Sequence, residues 1–354
     1  MDNEKILSVR KKTDIASLSL SEIKALLSAA GEPAYRAGQI YQWIHEKRAA
    51  SFDEMTNLPA SLRRKLAETA WLPELTVEAH QISKADGTQK FAFGMYDGQI
   101  IESVFMPYRH GNSVCVSSQA GCRMGCRFCA STIGGLIRNL TASEILSQVY
   151  SIERITKERV SNVVVMGTGE PLDNFEQVVR FIRLLSDPAA GGISQRSITV
   201  STCGLVPMID RLAEEKLQIT LALSLHAPED ALRRTMMPIA NRYTIEETLA
   251  ACDRYFDATG RRVSYEYALI AGVNDTPEMA DRLIRLLAGR NCHVNLIPVN
   301  PVRERAYKRS SRVHSEEFKI RLEKSGINAT IRRGMGADID SACGQLRRRV
   351  QENA

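Results

Sequence analysis

The sequence predicts an α/β protein with a parallel sheet, preceded by a helical accessory domain and a short β-hairpin connection. Three successive hydrophobic rhythms in its 354 residues predict this order. Apolar residues recur at helical spacing over residues 1–74, alternate over 75–112, and form short continuous runs between amphipathic helices over 113–345. With 44% hydrophobic and 25% charged residues, the chain can bury a large core without disulfides or metals.

The helical accessory domain, residues 1–74, contains three predicted helices. "SLSEIKALLSAAG" begins with Ser19 and Glu22 at the spacing of a capping box and ends at Gly31. "AYRAGQIYQWIHEKR" and "LPASLRRKLAETA" continue with apolar residues at helical spacing. Their lysines and arginines are either ordinary solvated helix faces, the commoner case for a single residue, or together a basic footprint.

The hairpin segment, residues 75–112, contains "LTVEAHQISKADGTQKFAFGMYDGQIIESVFMP". Apolar and polar residues alternate there, and Asp86-Gly87 and Asp97-Gly98 interrupt the alternation. Asp-Gly between alternating segments is a strong signal for a tight turn, so we expect successive β-hairpins.

The third part, residues 113–345, alternates apolar runs with amphipathic helices. The runs are "SVCVSSQ", "NVVVMG", "RSITVSTC", "ITLALSLH", "RVSYEYALI" and "HVNLIPVN", with a further strand at "NATIRRG". Continuous apolar strands between helices indicate buried parallel strands in βα units. Six units are too few for a closed eight-stranded barrel. A partial barrel and a doubly wound sheet both remain open.

Several classes of protein are disfavoured by the same sequence. No apolar run approaches the roughly 18 residues that a membrane helix needs. The start, "MDNEKILSVRKK", lacks the apolar core of a signal peptide, so we expect a cytoplasmic protein without a membrane segment. In a reducing cytosol we do not expect its eight cysteines to form a disulfide framework. The net charge of +6 is too small to indicate a class of binding partner.

Three of those cysteines, Cys122, Cys126 and Cys129, lie within "CRMGCRFC". Structural zinc favours C-x2-C pairs and four ligands, whereas the first gap here is longer and no second pair follows. A c-type haem site needs His after C-x-x-C, where this chain has Ala130. Three thiolates on an iron–sulfur cluster leave one iron open to a substrate or cofactor. The spacing therefore favours an iron–sulfur cluster.

Other polar signals follow the ends of the predicted strands: "GTGEP", "STCG", "SLH" and "NPV". Each taken alone is more simply a turn, a cap or, for "GTGEP", a weak dinucleotide-binding signal that lacks the third glycine. In barrel-like α/β folds the chemistry sits at the carboxyl ends of the strands. Together with the cysteine motif, these loops predict one active site on that face.

An ordered series of motifs extends the argument to nearly the whole chain. It comprises "YRAGQIYQWI", "GNSVCVSSQAGCRMGCRFCASTIGGLIRNLTASEI", "MGTGEPLDN", "SLHAP", "MMPIANRY", "EYALIAGVND", "HVNLIPVNPV" and "DIDSACGQLRRR". The cysteine spacing resembles that of the radical S-adenosylmethionine (SAM) superfamily, and the series resembles the RlmN/Cfr family of radical SAM RNA adenine methyltransferases. The resemblance implies a radical SAM partial (β/α)6 barrel, a [4Fe–4S] cluster on Cys122, Cys126 and Cys129, and two SAM molecules per turnover.

The resemblance also implies roles for residues outside the cluster motif. Cys343 would carry a methyl group as S-methylcysteine, Cys115 would resolve a protein–RNA adduct through a transient disulfide with Cys343, and Glu102 would be a proton acceptor. The implied SAM contacts are Gly169, Glu170, Ser201, Ser224, Leu225, His226 and Asn300. From the residues alone, Cys115 is more simply a small buried hydrophobe, and only the resemblance favours its catalytic role.

The implied substrates are one adenine of 23S rRNA, near the peptidyl-transferase centre, and an adenine next to the anticodon in tRNA. "GEPLDN" and "NLIPVNPV" resemble the branch that methylates adenine C2; the alternative is C8 methylation, as in the Cfr branch. The arginine-rich "VRERAYKRSSR" and "QLRRR" are either phosphate contacts or solvated charge runs. An electron donor such as flavodoxin or ferredoxin is a further implied partner.

Two other functions stay open on the residues alone. A radical SAM enzyme acting on a small molecule or another protein would leave Cys343 and the basic N-terminal helices without a role. An RNA-binding module with a structural metal centre would require closed coordination at the three clustered cysteines.

Overall fold

The computed structural model describes residues 7, 9, 11–190, 192–300, 306–336, 338–339 and 344–352. Its helices are α1 (Leu20–Ala29), α2 (Arg36–His45), α3 (Ala60–Thr69), α4 (Ala142–Thr156), α5 (Phe175–Leu185), α6 (Val206–Glu214), α7 (Asp230–Met236), α8 (Ile245–Thr259), α9 (Pro277–Leu287), α10 (Arg312–Lys324) and α11 (Gln345–Glu352). The capping box that the sequence predicts at Ser19 is confirmed at the start of α1, and Thr141 and Thr244 form capping boxes at the starts of α4 and α8.

The strands of the described residues form one large sheet and two short pairs, β1 with β2 and β7 with β8. They are β1 (Thr13–Asp14), β2 (Ala70–Trp71), β3 (Thr76–Ile82), β4 (Gln89–Gly94), β5 (Ile100–Met106), β6 (Asn112–Cys115), β7 (Gln119–Gly121), β8 (Leu136–Asn139), β9 (Val160–Val165), β10 (Ile198–Thr202), β11 (Thr220–Ser224), β12 (Val263–Leu269), β13 (Cys292–Pro298) and β14 (Asn328–Ile331). The large sheet has ten strands in the order β14-β13-β12-β11-β10-β9-β6-β5-β4-β3.

The strand order distinguishes the two architectures that the sequence leaves open. From β6 through β9 to β14 every neighbouring pair is parallel, and each new strand is added on the same side of the one before it. A doubly wound sheet would reverse its order at a switch point. The uninterrupted order is that of a partial barrel, and the predicted α/β fold is confirmed.

The hairpin segment belongs to the same sheet. β3 pairs with β4, β4 with β5 and β5 with β6, all antiparallel, and the two Asp-Gly sequences lie in the connecting loops as predicted. The last of these pairings matters for the site, because it sets Val104 opposite Cys115 at the end of the first parallel strand.

The N-terminal helices lie against the outside of the barrel helices. Arg48 pairs with Glu153 of α4 at 2.9 Å, and the Tyr41 hydroxyl donates to Asp187, beyond the end of α5, at 2.6 Å. Ile15, Ile23, Ile40 and Leu62 belong to one continuous hydrophobic core with the barrel residues. No helix in the part of the chain that the structure describes is long and apolar enough to cross a membrane.

Candidate active site

A cavity of about 310 Å³ opens at the carboxyl ends of the parallel strands, a size typical of small-molecule sites. Many of the sequence-predicted residues line it: Cys115, Cys122, Cys126, Cys129, Gly169, Glu170, Ser201, Ser224, His226 and Asn300. These residues follow or end different strands, and parallel strands direct their carboxyl ends to one face. The fold therefore brings together side chains that are far apart in the sequence.

The three clustered cysteines lie in the loop between β7 and β8. At the start of the loop, the Cys122 N–H donates to the Gly135 carbonyl at 2.9 Å, next to the β7–β8 pair. In the middle, the Arg127 N–H donates to the carbonyl of Met236, the last residue of α7, at 2.8 Å. The loop is thus supported on one side by a strand pair and on the other by "MMPI" and the helix before it.

The chemistry of this loop fits an iron–sulfur cluster. Burial raises the pKa of the Cys122 thiol to about 12 and also raises the pKa of Cys126, so both thiols stay protonated until a metal displaces their protons. Among the described residues no group of three or more His, Cys, Asp or Glu converges closely enough to hold a single metal ion. Each thiolate of a cubane cluster binds a different iron, and the three cysteines that line the cavity are donors of the kind such a cluster uses.

Gly169 and Glu170 form the next part of the cavity wall, after β9. Gly169 has φ +119°, and a Cβ there would lie 2.6 Å from the Ser118 hydroxyl oxygen, so only glycine fits. The Glu170 carboxylate accepts the N–H of Leu172 at 3.0 Å and of Cys203 at 2.8 Å. Burial raises the pKa of Glu170, and no cationic side chain of the described residues pairs with it. A ligand ammonium would supply the missing positive charge.

Ser201 and Ser224 stand on neighbouring strands with their hydroxyl oxygens 3.4 Å apart. Both line the cavity, whereas the Leu225 side chain is fully buried in the hydrophobic core and does not line it. The Leu225 N–H donates to the Glu266 carbonyl at 3.1 Å. Of the predicted contacts in this region, two therefore offer hydroxyls to a ligand.

His226 is held in a strained backbone conformation with φ +58°. Its Nδ1 accepts the Ala268 N–H at 2.9 Å, which leaves the proton on Nε2. Burial, together with nearby Arg233, lowers the pKa of His226 to about 3. The imidazole is therefore neutral, and it packs edge-on against Phe128 of the cysteine loop with the ring centres 4.8 Å apart.

Cys115 and Asn300 also line the cavity. Cys115 is buried at the end of β6, and half-buried Asn300 follows β13. Arg309, Arg332 and Arg333 also line the cavity and are exposed, so positive charge surrounds part of its mouth.

Glu102 lies on β5 outside the cavity wall and is buried. Its carboxylate pairs with Lys90, also buried, at 3.3 Å. The same carboxylate accepts the N–H of Gly344 at 2.5 Å and of Arg347 at 2.7 Å. Glu102 therefore caps the start of α11, the terminal helix.

The predicted methyl carrier, Cys343, lies outside the described residues. Gly344, the next residue in the sequence, has φ +83°, and a Cβ there would lie 2.8 Å from the backbone nitrogen of Ser131. Ser131 is two residues beyond the cluster cysteine Cys129. The terminal segment thus returns to the cysteine loop at a point where only glycine fits.

Three functional residues of the wall and its support were missed by the sequence reasoning: Arg233, Glu266 and Asn274. Glu266 lines the cavity and accepts the Asn295 amide at 2.7 Å, and burial raises its pKa. Asn274 donates to the His226 carbonyl at 2.8 Å. A carboxylate inside the apolar run "SYEYALI" is a detectable signal for Glu266, but no periodicity separates Arg233 from its exposed neighbour Arg234.

Known protein families and a solved structure match this chain in sequence and in fold. Residues 116–287 match the Radical SAM superfamily, and residues 13–72 match the ribosomal RNA large subunit methyltransferase N-terminal domain. A crystal structure of a radical SAM methyltransferase from Sphaerobacter thermophilus is 46% identical, with a TM-score of 0.90, and the match covers 94% of this chain and 98% of that one.

Two curated relatives are each 58% identical over 341 residues and carry the name probable dual-specificity RNA methyltransferase RlmN. The relative from Lachnospira eligens is matched over 96% of this chain and 97% of its own length, and that from Lachnoclostridium phytofermentans over 96% of each. Identity at this level, over both domains that the family profiles detect, determines the family. The chain belongs to the RlmN family of radical SAM RNA methyltransferases, which work with a [4Fe–4S] cluster and SAM.

Proposed function

We propose that this RNA methyltransferase methylates C2 of one adenine in 23S rRNA and of an adenine next to the anticodon in tRNA. An S-methylcysteine at Cys343 and a transient protein–RNA adduct are the proposed intermediates. The observation that carries the proposal is the contact between Gly344, adjacent to Cys343 in the sequence, and Ser131 of the cysteine loop. Cys115 lines the cavity beside that loop. Two-cysteine chemistry requires this convergence of the chain end and a second thiol.

The proposed cofactor contacts form two groups, one for the cluster and one for SAM. Cys122, Cys126 and Cys129 would hold the cluster, which when bound supplies the electron for reductive cleavage of SAM. The buried Glu170 carboxylate, which has no cationic partner among the described residues, suits the ammonium group of SAM. The remaining proposed SAM contacts are Gly169, Ser201, Ser224, Leu225, His226 and Asn300.

The protein's own thiols carry the methyl group through the proposed reaction. The Cys343 sulfur accepts a methyl group from a first SAM and loses its proton. Loss of a hydrogen atom to the radical from a second SAM leaves an S-methylene radical, which adds to C2 of adenine, a carbon that is not nucleophilic. The adduct would then lose one electron, which the oxidised cluster could accept back, and the C2 proton, for which Glu102 is the proposed acceptor.

Cys115 completes the proposed sequence. Its thiolate attacks the Cys343 sulfur, a disulfide forms, and the sulfur–methylene bond breaks with its electron pair left on carbon. Protonation of that carbon gives the methyl product, and a two-electron reductant restores both thiols. Burial of Cys115 in the cavity wall supports this role over that of a remote core residue.

The RNA substrate would approach over the arginine-rimmed mouth. Exposed Arg309, Arg332 and Arg333 offer guanidinium groups to phosphate. We propose that residues 1–74 form an accessory RNA-binding domain, 75–112 the hairpin extension, and 113–345 the partial barrel with its catalytic segment. The name of the relatives, dual-specificity RNA methyltransferase, supports two RNA substrates. We also propose a cytoplasmic location and an electron donor such as flavodoxin or ferredoxin.

Anaerobic methylation assays test this proposal. Reconstituted enzyme, SAM, a reductant and a 23S rRNA fragment or tRNA are expected to give 2-methyladenosine on nucleoside mass spectrometry. A product of 8-methyladenosine would instead support the C8 alternative. Mass spectrometry of the C-terminal peptide is expected to show a gain of about 14 Da on Cys343. This is the mass added when one methyl group replaces the thiol hydrogen.

Three cysteine variants separate the proposed roles. Cys343→Ala is expected to make no product, and Cys115→Ala to accumulate a covalent RNA adduct. Cys292→Ala, at a buried cysteine that does not line the cavity, is the matched control and is expected to turn over normally. Product formation by Cys343→Ala, or free RNA product from Cys115→Ala, would contradict the mechanism.

A further inference from the structure

Arg233 is a fully buried arginine on α7 that contacts none of the acidic side chains described above. Its Nη2 donates to the Cys203 carbonyl at 2.7 Å and to the Ser224 carbonyl at 3.2 Å. Its Nε donates to the Leu225 carbonyl at 3.2 Å. One guanidinium therefore joins the loop after β10 to the loop after β11.

These two loops carry the groups proposed to bind SAM. The Cys203 N–H donates to the Glu170 carboxylate, so the carbonyl and the amide of Cys203 connect Arg233 to Glu170. On the other loop, Arg233 donates to the carbonyls of Ser224 and Leu225, the two residues that precede His226 in the sequence. The planar fork of an arginine can fix several acceptors at once in a way that a lysine ammonium cannot.

The charge of Arg233 lies close to the cysteine loop. The guanidinium donates to the Cys203 carbonyl, and the Cys203 and Cys126 side chains belong to one packed cluster of buried residues. Its Nη1 is buried and has no hydrogen-bond partner among the described residues. A buried N–H without an acceptor is costly, and the sulfur atoms of a cluster bound to Cys126 are acceptors of suitable chemistry.

We propose that Arg233 is a positioning residue that fixes the two SAM-binding loops relative to each other and sets a permanent positive charge beside the cluster. This proposal rests on the cluster and SAM contacts proposed above, and it is independent of the RNA substrate. The positive charge stabilises the reduced cluster, which carries one more electron than the oxidised one. The fork makes the SAM site a single preformed unit.

Two variants separate the fork from the charge. Arg233→Lys keeps a positive charge and loses the fork, and Arg233→Gln loses both. Both are expected to bind SAM about tenfold more weakly, because the two loops lose their common donor. Only Arg233→Gln is expected to make cluster reduction at least about tenfold less favourable, a shift of about 59 mV to more negative potential for one electron.

The measurements are anaerobic calorimetry with SAM and a potentiometric titration of the cluster followed by electron paramagnetic resonance. Neither uses RNA, so a failure of the proposed RNA chemistry would leave both results intact. Arg234→Lys and Arg234→Gln are the matched controls, since exposed Arg234 makes one weak contact, to the Ala240 carbonyl at 3.4 Å. Both controls are expected to match the wild type.

SAM affinity within twofold of the wild type in both Arg233 variants would overturn the positioning role. An unchanged midpoint potential in Arg233→Gln would overturn the electrostatic role. Iron and sulfide content and thermal unfolding of each variant identify loss of the fold. If Arg233→Gln cannot be isolated folded, the SAM affinity of Arg233→Lys still decides the positioning role. A midpoint potential of Arg233→Lys that differs from the wild type would count against the charge as the cause.

Discussion

Glu102 and Glu170 are both buried carboxylates near the active-site face, and they differ in whether a cationic side chain of the described residues pairs with them. Glu102 has a buried cation, Lys90, and two backbone N–H groups of the terminal segment. Glu170 has two backbone N–H groups and no cationic partner among the described residues. The ligand-free fold already pairs the first carboxylate with a cation, so its loss should lower stability. The second has no such partner among the described residues, in keeping with its proposed role in binding the SAM ammonium. Their substitution should therefore affect different properties.

The largest expected effect is on the Glu102 side of this comparison. Glu102→Ala removes the carboxylate that pairs with the buried Lys90 ammonium and caps α11, and we expect a loss of about 3–5 kcal/mol in the free energy of unfolding. Urea denaturation of the ligand-free protein measures it. The double variant Lys90→Met/Glu102→Leu is the control, and it should recover the part of the loss that is due to breaking this ion pair. A loss below about 1 kcal/mol in Glu102→Ala would break the comparison.

A smaller effect of a different kind is expected at Glu170. Glu170→Gln keeps the shape and removes the charge, so stability without ligand should be unchanged or higher. SAM binding should weaken by about ten- to a hundredfold, because a charged hydrogen bond contributes about 1.5–3 kcal/mol. Isothermal calorimetry with the cluster-loaded protein measures this. Glu176→Gln, at a largely exposed carboxylate on α5, is the control. Equal SAM affinity in Glu170→Gln and the wild type would show that Glu170 is not a binding group.

The same difference has a pH signature. Burial raises the pKa of Glu170 above its ordinary value of 4.5, so the folded protein binds this proton more tightly than the unfolded chain does. Its contribution to stability is therefore present below about pH 4.5 and is lost as the pH rises through the folded-state pKa. As the pH rises above about 4.5, ligand-free wild type should therefore lose stability relative to Glu170→Gln, which has no proton to lose at this position. Parallel stability curves would contradict the shift.

The smallest effect is expected at an exposed ion pair, which gives the scale for the buried ones. Arg254 on α8 pairs with Asp210 on α6 at 2.8 Å, with 54% and 39% of the side chains exposed. Arg254→Ala should cost about 0.2–1 kcal/mol, and less at high salt. Urea denaturation at low and high salt measures both. A loss of stability in Arg254→Ala as large as that in Glu102→Ala would mean that burial does not set the strength of these two ion pairs.

The sequence was informative wherever a local pattern determines the structure. A capping box identified the start of α1, Asp-Gly pairs identified the hairpin turns, and "CRMGCRFC" identified the cysteine loop. The polar strand ends predicted the cavity wall, because parallel strands direct their carboxyl ends to one face. These features depend on residues that are close together in the chain.

Features that depend on distant partners could not be predicted in the same way. Arg233 looks like any arginine on an amphipathic helix until the fold brings two strand-end loops to it. Lys90 and Glu102 lie on strands with an alternating pattern that does not reveal which polar residues are buried. The choice between a partial barrel and a doubly wound sheet likewise depends on the direction of each crossover, which residue patterns do not encode.

The capping of the terminal helix has a consequence for how the protein matures. Glu102 bonds to residues 242 and 245 positions later in the chain, and Ser83 to Asp338, 255 positions later. Closing such long loops is slow compared with pairing neighbouring strands. During synthesis the sheet can form while the chain end is still inside the ribosome, and Glu102 must wait for the last residues to emerge. The cap on Glu102 and the approach of Gly344 to the cysteine loop are therefore among the last contacts of the described structure to form.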